Sequence, residues 1–288
     1  MRRLAPAVLV LLAACATTPA PAPAPTPEPA PQVATAPQCN PGHSIVNAVV
    51  WAQSSAEHDA ATLGIYANAR RALDAALADP TWVGAAEETS NDPSQPPAIV
   101  LDLDETAIDN SPFEAGSIKA GKTYDDAIWK EWAASGAALA IPGAPEFLAY
   151  AKSRGVTPFY VTNRDKEEEP GVRHNLETLG YPLTTDRDNL LLRGEQADWT
   201  SDKTSRRAFV ASSYRILLLL GDDLNDFTNA REKTVAERDA IVAERRDWWG
   251  TRWFMIPNPM YGSWERALIG TTGTPCEQVQ RKIEALKP

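Results

Sequence analysis

Residues 215–220, Arg-Ile-Leu-Leu-Leu-Leu, contain five consecutive apolar side chains and lead into Gly221-Asp222-Asp223. Such a run is far short of the roughly 20 residues that a membrane helix needs. It also lacks the alternation of a half-exposed strand and the spacing of a helix stripe. What it fits is a β-strand covered on both faces, the setting of a parallel sheet flanked by helices. Residues 98–103 form a second run, apolar but for Asp102, and meet a polar turn.

The segments around these runs alternate in period. Apolar residues at helical spacing fill 44–79, at Ile45, Val49, Leu63, Tyr66, Ala69, Leu73 and Leu77, and predict two helices or one broken helix ended by Pro80. Helices are also predicted over 124–134, 144–154, 171–179 and 202–213, and strands over 156–161 and 189–192. Strands alternating with helices define an α/β fold, a doubly wound mostly parallel sheet with helices on both faces and a helical N-terminal segment. Ligands of such sheets sit beyond the carboxyl ends of the strands. Those ends hold Asp102-Leu103-Asp104-Glu105-Thr106, Thr162-Asn163-Arg164 and Gly221-Asp222-Asp223-Leu224-Asn225-Asp226, with Lys203 opening the helix before the last strand.

The N-terminus reads as an address. Arg2 and Arg3 precede an apolar run over 4–14 that closes on Leu12-Ala13-Ala14-Cys15, an ending similar to a bacterial lipoprotein signal in which Cys15 is lipidated after cleavage. Ordinary secretory cleavage after Ala14 or Ala16 is the alternative, and both export the protein. Ala16 is not the Asp of inner-membrane retention, so the resemblance implies an outer-membrane lipoprotein on the periplasmic or cell-surface side. Eight of the 24 prolines then fall at Pro19, Pro21, Pro23, Pro25, Pro27, Pro29, Pro31 and Pro37. An Ala-Pro alternation favours extended polyproline II and cannot build a core, so 15–38 is a tether between a 1–14 signal peptide and a folded domain over 39–288. With 38 acidic against 28 basic residues, a formal charge of −10, the chain lacks the positive field that a nucleic-acid polymer requires. Histidines only at 43, 58 and 174 exclude an HExxH zinc site.

Asp102, Asp104, Asp222 and Asp223 therefore converge at one sheet edge. Two carboxylates about 4 Å apart repel by roughly 1 kcal/mol in water and roughly 4 kcal/mol at an effective dielectric of about 20. A cation offsets this, and an all-oxygen ligand set selects a hard ion such as Mg²⁺. Any one of these Asp residues taken alone is an ordinary helix N-cap; two clusters after two buried strands, with Thr162 and Lys203 in step, form a convergent site.

Together these residues resemble the four motifs of the haloacid dehalogenase superfamily. Residues 100–106 continuing to Asn110-Ser111-Pro112-Phe113, with Ile216-Leu217 and 221–227, are similar to the paired signatures of the class C bacterial acid phosphatases and the related outer-membrane lipoprotein 5′-nucleotidases. Phe113 stands where Tyr is usual and Asp223 where Asn is common. The resemblance implies a Rossmannoid, haloacid dehalogenase-like fold and an Mg²⁺-dependent phosphomonoesterase working through an aspartyl-phosphate. Asp102 is then the nucleophile and Asp104 the general acid and base. Thr162 and the backbone of Asn163 bind phosphoryl oxygens, and Lys203 offsets the charge of the transition state. One Mg²⁺ is held by Asp102, Asp222 and the Asp104 backbone carbonyl, Asp223 joins directly or through water, and Asp226 orients Lys203 or a metal-bound water. Arg164 suits either phosphate or local carbonyls.

A small cap is expected over about 110–142. Its Trp129 and Trp132, three apart on a helix face, either pack the core or stack on an aromatic leaving group, as do Tyr124, Phe113 and Trp253. The implied substrates are nucleoside 5′-monophosphates, nicotinamide mononucleotide or aryl phosphates. Cys39 and Cys276 either bridge or remain inert thiols, and an oxidising compartment favours the bridge. Phosphoryl transfer to an acceptor alcohol and a non-catalytic binding module are the competing functions; the presence of both Asp102 and Asp104 speaks against the second. Monomer and homodimer stay open.

Overall fold

The computed structural model describes residues 39–88 and 92–288. The signal-like segment with Cys15 and the Ala-Pro tether lie outside the described residues. Among the described residues no helix is long and apolar enough to cross a membrane.

The sheet is built from β1 (Pro97–Leu101), β4 (Thr157–Asp165), β5 (Leu190–Arg193), β6 (Arg215–Gly221) and β7 (Trp253–Met255), in the order β5-β4-β1-β6-β7. All four pairings are parallel. Every residue of β6 is buried, as its unbroken apolar run requires. Its neighbours divide between two faces: Ile99, Leu101, Leu218 and Leu220 join one core with Tyr66, Leu73, Phe147 and Leu176, while Ala98, Val100 and Leu219 join a second with Val210, Phe227 and Trp253. The register between β1 and β6 slips at Leu217, which has no partner opposite it. The carbonyls exposed there are taken by the N–H of Gly84 (3.1 Å from Ile216 O) and the indole of Trp82 (2.8 Å from Leu217 O). A Cβ on Gly84 would lie 2.5 Å from both carbonyl oxygens, so only glycine allows the approach.

The N-terminal helical segment is broken rather than continuous. After a short 3₁₀ turn, Pro41–Ile45, helix α1 (Val46–Ser54) stops at Ser55, whose hydroxyl accepts the His58 N–H and starts α2 (Ala56–Ala78). Helix α5 (Ala144–Ser153) packs against α2 and β4, α7 (Thr204–Ala211) lies against β4 and β6, and α6 (Glu169–Thr178) adds Val172 and Leu176 to the core beside α5.

The segment inserted after β1 contains a small hairpin, β2 (Ile108–Asp109) with β3 (Leu139–Ala140), and two helices, α3 (Ser111–Lys119) and α4 (Asp126–Ser135). Asp125 caps α4 through the N–H groups of Ala127 and Ile128. Gly171 lets α6 sit directly on α4, since a Cβ there would lie 2.3 Å from Ala133 O. The C-terminal part adds α8 (Val235–Glu244), α9 (Ser263–Ile269) and α10 (Pro275–Glu284). Cys39 and Cys276 are disulfide-bonded, with Cα atoms 6.1 Å apart, and tie α10 to the start of the folded domain.

One expected boundary moves. Strand β4 runs on to Asp165, which is paired with Arg193, so Thr162, Asn163 and Arg164 lie within the strand and not after it. The register against β5 is irregular between Val161 and Asp165, so the contacts decide which way each side chain points. Thr162 and Arg164 both reach Asp104, whereas the Asn163 amide bonds Ser201 O and Arg206.

Candidate active site

The ends of β1 and β6 are held side by side: the N–H of Asp102 still bonds Leu220 O at 3.0 Å. Asp102 thereby leaves the sheet next to Asp222, the residue after Gly221. Asp226 folds back over the same point, with Oδ2 accepting the Asp223 N–H at 2.9 Å. Gly221 makes room for this return, because a Cβ there would lie 2.3 Å from that Oδ2. Asp102, Asp222 and Asp226 each place a carboxylate oxygen within 4.8 Å of the others.

Lys203, at the N-cap position of α7, is only 4% exposed and extends its ammonium between Asp102 Oδ1 and Asp226 Oδ1, the latter at 2.6 Å. Asp222 is held without a cation: Asn258 Nδ2 donates to Oδ2 at 2.8 Å and Thr106 Oγ1 to Oδ1 at 3.3 Å. With all three ionised, the carboxylates would carry two more charges than the one ammonium among them offsets.

The electrostatics express that imbalance. Burial, only partly opposed by Lys203 and reinforced by Asp226 and Asp104, pushes Asp102 up to about 7. Burial followed by repulsion from Asp102 and Asp226 drives Asp222 well above the carboxylate range, and burial raises Asp226. Burial works against the charge on Lys203, but Asp102 and Asp226 overcome it and hold the ammonium charged. A divalent cation matches both the deficit of two charges and the all-oxygen donor set, so the residues present fit a hard metal ion.

Asp104 lines the same crevice as this cluster, in a different environment. Its Oδ1 accepts from Arg164 Nη2 (2.8 Å), Arg164 Nε (3.0 Å) and Asn110 Nδ2 (2.7 Å). Its Oδ2 has longer contacts, 3.3 Å from Arg164 Nε and 3.5 Å from Thr162 Oγ1. The chain reaches this geometry through Glu105, whose φ of 55° is a strained conformation for a residue with a side chain.

Several expected placements change. Asp223 does not join the carboxylate cluster: its side chain accepts from Asn225 N at 2.9 Å and from Ser263 through both backbone and hydroxyl, closing the turn before α9. Asp226 occupies the third corner of the cluster while also holding Lys203. Arg164 lines the crevice, pairs with Asp104, donates to Asn110 Oδ1 at 3.0 Å and lies 5.0 Å from the Trp129 ring. Thr162 is fully buried, its hydroxyl accepting the Arg164 N–H at 3.1 Å. Asn163 lines the crevice with its amide bonded to Ser201 O and Arg206. Phe113 is buried behind Trp129 and Tyr124, with ring centroids 5.1 and 6.2 Å away, so it supports the aromatic wall from behind. Trp253 is a core residue of β7.

Sequence reasoning missed Asn258, which steadies Asp222, and met Asn110 only as part of a motif, without its bond to Asp104. Asn258 follows β7, so the strand-end rule would have reached it had that three-residue strand been legible. The crevice encloses about 630 Å³, with Asp102, Lys203 and Asp222 at its floor and Tyr124, Trp129 and Tyr261 on its walls.

Parallel strands that deliver one Asp pair and a second acidic strand end to a buried lysine define a site of the haloacid dehalogenase (HAD) type. The sequence profile of the HAD superfamily, subfamily IIIB (acid phosphatase), matches residues 29–264, and the chain belongs to that family. The class C acid phosphatase from Bacillus anthracis is 34% identical and superimposes with a TM-score of 0.77 over 87% of this chain and 99% of its own. The same class C enzyme with tungstate bound gives a TM-score of 0.75 at 34% identity, over 86% and 98% of the two chains. Acid phosphatase 1 of Solanum lycopersicum is 25% identical over 166 residues, 56% of this chain and 57% of that protein, so the chain spans little more than half the length of this relative.

Proposed function

We propose that the protein is a Mg²⁺-dependent phosphomonoesterase that hydrolyses small phosphate monoesters through a phosphorylated Asp102. The observation that supports this best is the uncompensated charge at the crevice floor: among the described residues, Asp102, Asp222 and Asp226 share only Lys203. Asp102, Asp222 and the Asp104 backbone carbonyl would hold the ion, with Asp226 beside them. When bound, it supplies the positive charge that keeps Asp102 ionised and lets an anionic phosphate approach.

Asp102 commits Oδ1 to Lys203, leaving the other oxygen to attack phosphorus. The ester P–O bond breaks as Asp104 gives its proton to the departing oxygen. Water then attacks phosphorus, Asp104 takes back a proton, and the bond to Asp102 breaks, releasing phosphate and restoring both carboxyl groups. Lys203 neutralises charge throughout. The tungstate on the Bacillus anthracis relative is a tetrahedral oxyanion of phosphate's shape, in keeping with this reading. Tyr124 and Trp129 offer flat faces to a nucleobase, nicotinamide or aryl leaving group.

The same reading places the enzyme outside the cytoplasm, anchored to the outer membrane by a lipid on Cys15. The lipoprotein-like ending at residues 12–15 supports it, and so does the Cys39–Cys276 bridge, a feature of oxidising compartments. Asp102→Asn should abolish phosphate release from p-nitrophenyl phosphate with an intact unfolding transition; appreciable residual turnover sinks the nucleophile assignment. EDTA should inactivate the enzyme and Mg²⁺ restore it. Fatty-acid labelling should vanish in Cys15→Ala.

A further inference from the structure

We infer that Asn110, fixed from the cap by Trp132, is a positioning residue that selects which oxygen of Asp104 exchanges the proton. The inference rests on the assignment of Asp104 as general acid in the reaction proposed above. Asn110 is fully buried and uses its whole amide. Nδ2 donates to Asp104 Oδ1 at 2.7 Å and lies 3.4 Å from Glu105 Oε2. Oδ1 accepts from Trp132 Nε1 at 2.9 Å and from Arg164 Nη2 at 3.0 Å. The orientation of the amide is forced, because the indole of Trp132 and the guanidinium of Arg164 only donate, so the atom they share must be the amide oxygen. Its backbone is pinned as well, the N–H donating to Glu105 Oε1 at 2.7 Å.

The consequence lies in the asymmetry of Asp104. Three donors within 3.0 Å fill Oδ1, while Oδ2 has contacts only at 3.3 and 3.5 Å. A proton on Oδ1 would have to displace charge-assisted bonds, so it resides on Oδ2. From there it passes to the leaving oxygen as the P–O bond breaks, and Asn110 keeps that edge toward the crevice. Trp132 extends the arrangement into α4, so the cap contributes a hydrogen bond to the acid as well as a wall.

Leaving-group dependence tests this. An alkoxide needs the proton as it departs, whereas p-nitrophenolate leaves without it, so loss of general-acid positioning falls selectively on alkyl esters. We compare kcat/KM, which reports formation of the phospho-enzyme, for glycerol phosphate and p-nitrophenyl phosphate in the full Mg²⁺-loaded protein. Asn110→Ala should lower the alkyl value at least tenfold more than the aryl value. Trp132→Phe, which deletes only the indole N–H, should shift the ratio the same way by roughly two- to fivefold, within the range of a single hydrogen bond, and it keeps the test available where Asn110→Ala fails to fold. Equal losses on both esters, or an unchanged ratio in Trp132→Phe, overturn the inference. Asp104→Asn separates the two levels: if it too spares the alkyl-to-aryl ratio, the general-acid assignment has failed; if it changes the ratio and the other variants do not, only the positioning role has failed.

Discussion

Lys203 is the residue on which the crevice floor depends, because it is the ammonium placed between Asp102 and Asp226 in a buried setting. Lys203→Met leaves both carboxylates facing each other without it, and removing one member of a buried ion pair costs about 3–5 kcal/mol. The variant should be inactive and should unfold well below the wild type in EDTA, with part of the loss recovered in Mg²⁺. A variant as stable as the wild type in EDTA would mean that Asp102 and Asp226 are not both ionised beside Lys203. Glu114 provides a contrasting case on the crevice wall. Burial and then Glu265 raise its carboxyl from 4.5 to about 7. The folded state thus holds that proton more tightly than the unfolded chain, so its contribution is present below pH 4.5 and lost as pH rises through about 7. Glu114→Gln should match the wild type near pH 4.5 and exceed it at pH 8 by on the order of 1 kcal/mol after allowance for solvent screening. Equal unfolding curves at both pH values would refute the burial argument. At this scale the sequence made Asp102, Asp104, Lys203 and Asp222 legible because strand ends and helix starts announce themselves in the apolar pattern. The partners of Asp104 were not legible: Arg164 reaches Asp104 beside Thr162 only because β4 continues to Asp165, and Asn110 reaches Asp104 only because Glu105 adopts a left-handed turn.

Among the elements, the long apolar runs and long periodic helices were readable, and β1, β6, α2 and α5 lie where the pattern puts them. Strand β7 escaped because three residues in a Trp-rich stretch have no measurable period, and its burial comes from Phe227, Trp248 and Trp249 packing around Trp253. Helix α10 is announced in the sequence by Thr274 and Glu277, which form a capping box, and by Pro275 at its first position, although none of its residues is buried. What holds it are the bridge from Cys276 to Cys39, the ion pair of Lys282 with Glu265, and Arg281 donating to Ile269 O at 2.7 Å. Gln278, Val279 and Lys282 line the outer crevice. Closing a loop of 237 residues contributes up to about 5 kcal/mol by the chain-entropy argument. Cys276→Ser should lower the unfolding temperature and raise KM more than it lowers kcat, because the wall loosens while the floor at Asp102 stays in place. A fall in kcat at constant KM would show that α10 touches the chemistry and not the leaving group.

For the whole molecule, the sequence's acidity resolves into a specific imbalance, a crevice floor short of two positive charges at the end of the buried strand β6. Such a floor opposes folding until a cation arrives, so metal binding and stability are linked. At free Mg²⁺ about one hundred times its dissociation constant the linkage contributes about 2.7 kcal/mol, or roughly 5–10 °C in Tm for a domain of this size. Asp222→Asn gives the sharper test. Asp222 has Asn258 and Thr106 as partners but no cation, and burial with its acidic neighbours raises it well above the usual carboxylate range. Neutralising it removes repulsion, so in EDTA the variant should melt above the wild type. In Mg²⁺ the order should reverse, since the wild type gains the ion's binding energy and the variant has lost a ligand. Thermal melts of both proteins, with and without Mg²⁺, read this crossing directly; parallel shifts in the two proteins would place the ion away from Asp222 and dissolve the link between the crevice charge and the metal.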